Sequence, residues 1–125
     1  MTDIFFHTNF PKDLITALQL LHGLEQQPGY RVERKSTVGQ LNLDNTVLFI
    51  FDHAKKKVDL TTTALFESGY RVFAFKLPSA TSLDPYSLSL TTLNLWSKIL
   101  RTIQNEHQPF IYTYKYLGKE LLRIQ

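Results

Sequence analysis

The chain has 125 residues with 43% hydrophobic and 20% charged content, the balance of an ordinary globular domain long enough to bury a core. Cysteine is absent, which excludes disulfides and thiolate metal sites, and no apolar run approaches the ~20 residues that span a bilayer. Net charge is +3, from 14 Lys and Arg against 11 Asp and Glu, so an acidic partner or nucleic acid is permitted but not demanded. Asp3 stands early and no basic region precedes an apolar stretch, so no secretory signal is read and a cytoplasmic location without membrane contact is expected.

Ile4-Phe5-Phe6 reads as a short strand covered on both faces. His7-Thr8-Asn9 follows, and Pro11 suits the first turn of a helix. In that helix Leu14, Leu18 and Leu21 share a face, with Ile15 beside them, up to about Gly23. Gln26-Gln27-Pro28-Gly29 is a turn, Tyr30 to Glu33 a short strand, and Ser36 to Asn45 a loop. Val47 to Phe51 is the strongest strand pattern in the chain.

Asp52-His53 and the basic run Lys55-Lys56-Lys57 come next. A short helix then places Leu60, Ala64 and Leu65 inward and closes at Gly69. Tyr70 to Phe75 is another strand, Leu77 to Asp84 a loop, and Pro85 begins a long helix. Leu93, Trp96, Leu100 and Ile103 share one face of that helix, with Ile99 alongside and Trp96 as a core anchor. Phe110 to Tyr116, the turn at Leu117-Gly118 and a return strand over Leu121 to Ile124 form a β-hairpin. Tyr112, Tyr114 and Tyr116 share a face of it, which serves either a partner or the domain itself.

This order predicts one α/β domain over residues 1–125, a three-layer sandwich with a mostly parallel central sheet and a C-terminal hairpin. If the first and third strands are parallel neighbours, His7, Asn9, Asp52 and His53 meet at the carboxyl edge, where open α/β sheets place ligands. No G-x-G-x-x-G follows the first strand, which argues against a dinucleotide site. A receiver-type domain would need clustered acids at the first strand and a strand-end lysine, and neither is read in order.

The layout resembles the PIN-like domains, which include the ribonuclease toxins of toxin–antitoxin pairs. Ile4 to Leu14 resembles their opening strand and helix, Phe49 to His53 their central strand, and Gly69 to Phe75 the strand after it. The segments Pro109 to Tyr112 and Gly118 to Leu122 resemble the terminal hairpin of one branch. The resemblance implies metal-assisted hydrolysis of RNA, with several carboxylates holding Mg²⁺ or Mn²⁺. His7 stands where the first acid of the family belongs, and between the first helix and the central strand Glu33 and Asp44 are the candidate carboxylates. Asp44 falls at the wrong strand end, and Asp59 reads as a solvated helix residue.

Asp52 is therefore the candidate catalytic residue, and His7, Asp52 and His53 are the candidate metal ligands. The competing reading of His7 is a ring hydrogen-bonded to Asp52 or to a loop carbonyl. Asn9, Lys55, Lys56 and Lys57 are the candidates for contact with RNA or a protein partner. The expected function is a PIN-like protein with weakened or lost ribonuclease activity; the alternative is a non-catalytic protein- or RNA-binding module. An antitoxin-like protein and a second copy of the chain are the expected protein partners.

Overall fold

The computed structural model describes residues 2–24, 29–35, 45–54, 57–77 and 84–125. The Gln26–Pro28 part of the expected turn, the loops over 36–44 and 78–83, Asp44, Lys55 and Lys56 lie outside them.

The elements run β1 (Thr2–His7), α1 (Lys12–Leu24), β2 (Tyr30–Lys35), β3 (Thr46–Asp52), α2 (Leu60–Glu67), β4 (Arg71–Lys76), α3 (Pro85–Asn105), β5 (Phe110–Lys115) and β6 (Leu122–Arg123). They form one six-stranded sheet in the order β2-β1-β3-β4-β5-β6. The first five strands are parallel and β6 is antiparallel to β5. No helix among the described residues is long and apolar enough to cross a membrane.

Large apolar side chains on both faces of β1, β3 and β4 demand a cover on each side. On one face Phe6, Phe49 and Phe73 stack across three strands, with centroids 4.3 and 4.8 Å apart. Leu14, Ile15 and Leu18 of α1 and Leu95, Trp96, Ile99 and Ile103 of α3 close over them. The opposite face presents Phe5, Leu48, Ile50, Val72 and Ala74, against which Leu65 of α2 packs.

The helices are not distributed as right-handed crossovers would place them. The steps from β3 to β4 and from β4 to β5 run the same way across the sheet, yet α2 and α3 cover opposite faces. Their crossovers therefore have opposite hands, against a rule that holds in about 98% of such units. The step from β1 to β2 runs the other way under α1, on the face that α3 shares, so α1 has the hand of α2. The crossover through α3 is the exceptional one.

Several sequence expectations shift. Leu60 is 88% exposed and Ala64 is exposed, while Leu65 packs inward as expected and Thr62 is the buried residue on the inward face of α2. That face is chosen by a polar contact, described below, which apolar spacing does not reveal. Leu21 of α1 is 40% exposed, because Leu14, Ile15 and Leu18 already meet the sheet. The return strand is only Leu122–Arg123, since pairing is limited to Tyr112↔Arg123 and Thr113↔Leu122.

The tyrosine face of β5 packs within the domain. Tyr114 is 1% exposed with its hydroxyl 3.0 Å from Thr92 Oγ1 on α3, and Tyr112 and Tyr116 lie against the same core. Trp96 is a core anchor as expected, 6% exposed beside Phe6 and Phe49.

Candidate functional site at the carboxyl edge

β1 and β3 are adjacent, and the chain leaves them in opposite directions: α1 goes to β2 on one face, α2 to β4 on the other. Their carboxyl ends are the topological switch point, where such sheets usually open a ligand crevice. Here it is filled from both sides. On the α1 and α3 face, Phe10 is 1% exposed, 4.4 Å from Phe51 and 5.0 Å from Phe6 between ring centroids.

The other side is closed by Asp52. As the last residue of β3 it points to the α2 face, and it is fully buried. Oδ1 accepts from Lys76 Nζ at 2.8 Å and from the Ala54 amide at 2.9 Å. Oδ2 accepts from the Thr62 hydroxyl at 2.8 Å and from the Asp59 amide at 2.9 Å. A carboxylate has about four lone-pair positions, so this one is saturated. Burial pushes its pKa up, but the Lys76 ammonium, the Asp59 and Ala54 amides and the Thr62 hydroxyl outweigh it, and the carboxyl titrates below its ordinary value.

Lys76 ends β4, in register with Asp52. Its ammonium also donates to Ala54 O at 2.9 Å and to Lys57 O, which satisfies all three of its protons. Asp59 caps α2, with its side chain accepting from the Thr62 amide. One carboxylate thus fastens the β3–α2 connection to the start of α2 and to the end of β4.

The histidines do not join it. His7 ends β1, and its Nδ1 accepts from the Asn9 amide at 3.1 Å. Among the described residues no hydrogen bond joins His7 to Asp52. The β1–β3 register aligns Phe6 with Phe49, so Asp52 stands about two residues, roughly 7 Å, beyond His7 along the strands. His53 is exposed, and Asn9 is exposed on the β1–α1 turn. Glu33 lies within β2 beside Arg31, at 3.6 Å.

This donor set does not fit a hard divalent cation. Such an ion needs several oxygen ligands with free lone pairs, and both oxygens of Asp52 are engaged by protein donors. Among the described residues no three of His, Asp and Glu are grouped to hold a metal.

What the edge does carry is positive charge. Lys35 of β2 pairs in register with His7, and Asp52 pairs with Lys76, which pairs with Lys115 of β5. Four strand spacings separate Lys35 from Lys115 by about 19 Å across the sheet. Lys35 lies about two residues, roughly 7 Å, short of Lys115 along the strands, and its ammonium sits 4.4 Å from the Phe5 ring centroid. Lys57 is exposed on the β3–α2 connection. Of the acids near this edge, Asp52 is occupied as described and Asp59 and Asp84 cap α2 and α3, while Glu120 is exposed in the loop after Lys115. Lys35, Lys57 and Lys115 have no carboxylate partner among the described residues.

Sequence reasoning singled out Asp52 but missed Thr62, Lys76 and Lys115, and it read Lys35, with Arg31 and Arg34, as a cluster of solvated basic residues. The spacing Asp59-x-x-Thr62 was the available signal, since it is a helix N-cap pattern. The strand-end lysines became legible only through the register. Comparison of the chain with protein-family models, with curated proteins and with solved structures finds no match in any of the three.

Proposed function

We propose that this chain is a non-catalytic α/β binding module of PIN-like type that holds single-stranded RNA along the carboxyl edge of its sheet. The observation that carries this reading is the saturation of Asp52, the one carboxylate where hydrolysis would need a metal ligand. With its lone pairs filled and the ion-pair partner beside it, Asp52 serves the fold. The basic side chains flanking it supply what phosphates require, since backbone contacts give most of the affinity in sequence-independent binding. A toxin–antitoxin context and an antitoxin-like partner belong to this proposal through the resemblance alone.

The test pairs cleavage with binding. A mixed tRNA and single-stranded RNA pool with Mg²⁺ or Mn²⁺ stays intact, while fluorescence anisotropy of labelled single-stranded RNA reports binding that weakens with salt. The slope of log K against log salt is about −0.7 per phosphate neutralised. Changing Lys35, Lys57 and Lys115 together to Gln therefore flattens it by about 2. Metal-dependent cleavage that disappears in a folded Asp52→Asn protein would overturn the non-catalytic reading. An unchanged slope in the triple variant would overturn the assigned surface.

A further inference from the structure

Past the end of β5 the chain folds back and leaves a hollow. Because β6 pairs with β5 only at Tyr112↔Arg123 and Thr113↔Leu122, the segment between Lys115 and Leu122 bows away from the sheet. It is held open at three points. Gly118 N donates to Lys115 O at 2.8 Å, Leu117 N donates to Thr91 Oγ1 at 3.0 Å, and Lys98 Nζ donates to Lys119 O at 3.2 Å. Leu117 takes a φ of 62°, a left-handed conformation that a leucine adopts only when its surroundings impose it.

The resulting half-open cavity encloses about 360 Å³ and is lined by residues 113–115 and 118–122. That volume falls at the low end of the roughly 300–1,000 Å³ typical of ligand pockets. Its wall mixes the apolar Leu121 and Leu122 with two ammonium-bearing residues, Lys115 and Lys119, against one carboxylate, Glu120. Neither lysine has an ion-pair partner among the described residues. The amides of Lys119 and Glu120 likewise have no acceptor there.

From this combination we infer that the cavity is a binding site for a small organic anion, one phosphate or carboxylate group on a compact apolar or hydroxylated body. The anionic group would sit between the two lysines and accept from the free amides, as charge-assisted hydrogen bonds favour. Its body would lie on Leu121 and Leu122. The site shares only Lys115 with the proposed RNA surface, so the two are separable by Lys119.

The experiment titrates isotope-labelled protein with glycerol 3-phosphate and, separately, with succinate, at constant ionic strength, and follows amide shifts. Saturating shifts at residues 118–122 with either probe are expected, and the probe that saturates identifies the anionic group. Lys119→Glu weakens that binding about tenfold or more, since a hydrogen bond to a charged group has that weight. Lys115→Gln gives the same direction should Lys119→Glu disturb the fold. Shifts that grow without saturating, or that spread over the lysines of both sheet edges, would overturn the assignment. Wild-type affinity in folded Lys119→Glu would do the same.

Discussion

Replacing Asp52 by Asn keeps the shape of the side chain and removes its charge, and its consequences can be followed atom by atom. The retained oxygen can still accept from the Ala54 amide and from Lys76, which meet Oδ1 in the native protein. The new NH₂ group faces the Asp59 amide, a donor that has lost its acceptor. Lys76, with a side chain 17% exposed, is left as a cation without a counter-charge. Breaking a buried ion pair from one side costs about 3–5 kcal/mol. With an unfolding entropy of about 2.1 cal/mol/K per residue, that is a fall in Tm of roughly 11–19 °C for a chain of this length.

The measurement is thermal and denaturant unfolding of Asp52→Asn, Lys76→Met and the double variant, with the single Trp96 as the fluorescent reporter. The two changes should not add. Removing Lys76 as well relieves the stranded charge, giving a coupling of about 0.5–3 kcal/mol. The pH dependence has a definite sign. A carboxyl titrating below its ordinary value in the folded protein contributes stability in full above its unfolded pKa of about 3.9 and loses it as pH falls through the folded value. Asp52→Asn lacks that acid limb. A loss below about 1 kcal/mol, with strict additivity in the double variant, would refute the latch described here.

Leu60→Lys, at a position 88% exposed, should change stability by no more than about 0.5 kcal/mol, measured by urea unfolding. A loss of 2 kcal/mol or more would restore the inward orientation expected from the sequence. Thr62→Val removes the hydroxyl that donates to Asp52 and should cost about 1.5–3 kcal/mol in the same assay, despite the gain in apolar volume. Burial pushes the Tyr114 phenol well above its ordinary pKa against the pull of Thr92. Its contribution is therefore complete below the unfolded pKa of about 10 and lost as pH rises beyond it. Tyr114→Phe should flatten the alkaline limb of the stability curve, and an unchanged limb would place the titration elsewhere.

The strands were legible because they carry their own signal. Val47 to Phe51 is a continuous apolar run and Tyr70 to Phe75 alternates enough to read as a strand, and each stands in the sheet within one residue of the expected bounds. The faces of α1 and α3 were legible in outline for a similar reason, since Leu14, Leu18, Trp96 and Ile103 recur at helical spacing and are buried. The face of α2 was not. Its eight residues include only Leu60, Ala64, Leu65 and Phe66 as apolar guides, and the deciding contact is polar, from Thr62 to a residue ten positions earlier. No periodicity encodes such a bond. The same limit applied to Lys76, whose meaning depends on which strand lies beside β3.

The exceptional crossover bears on why this edge holds charge where a crevice would open. Among the described residues α1 and α3 cover one face and α2 is the helix on the other, and eight residues are too few for a helix to be stable by itself. Among the described residues of α2, Leu65 packs against the cluster on that side, and a polar anchor accompanies it. Asp52, Thr62 and Lys76 provide that anchor, at the carboxyl ends of β3 and β4. A carboxylate that must hold a helix in place cannot release its lone pairs to a metal without loosening that helix. Added acids at positions such as His7 would therefore not by themselves free Asp52 to ligate a metal. A metal ligand at Asp52 would need a second means of fastening α2, because Thr62 holds that helix to the same carboxylate.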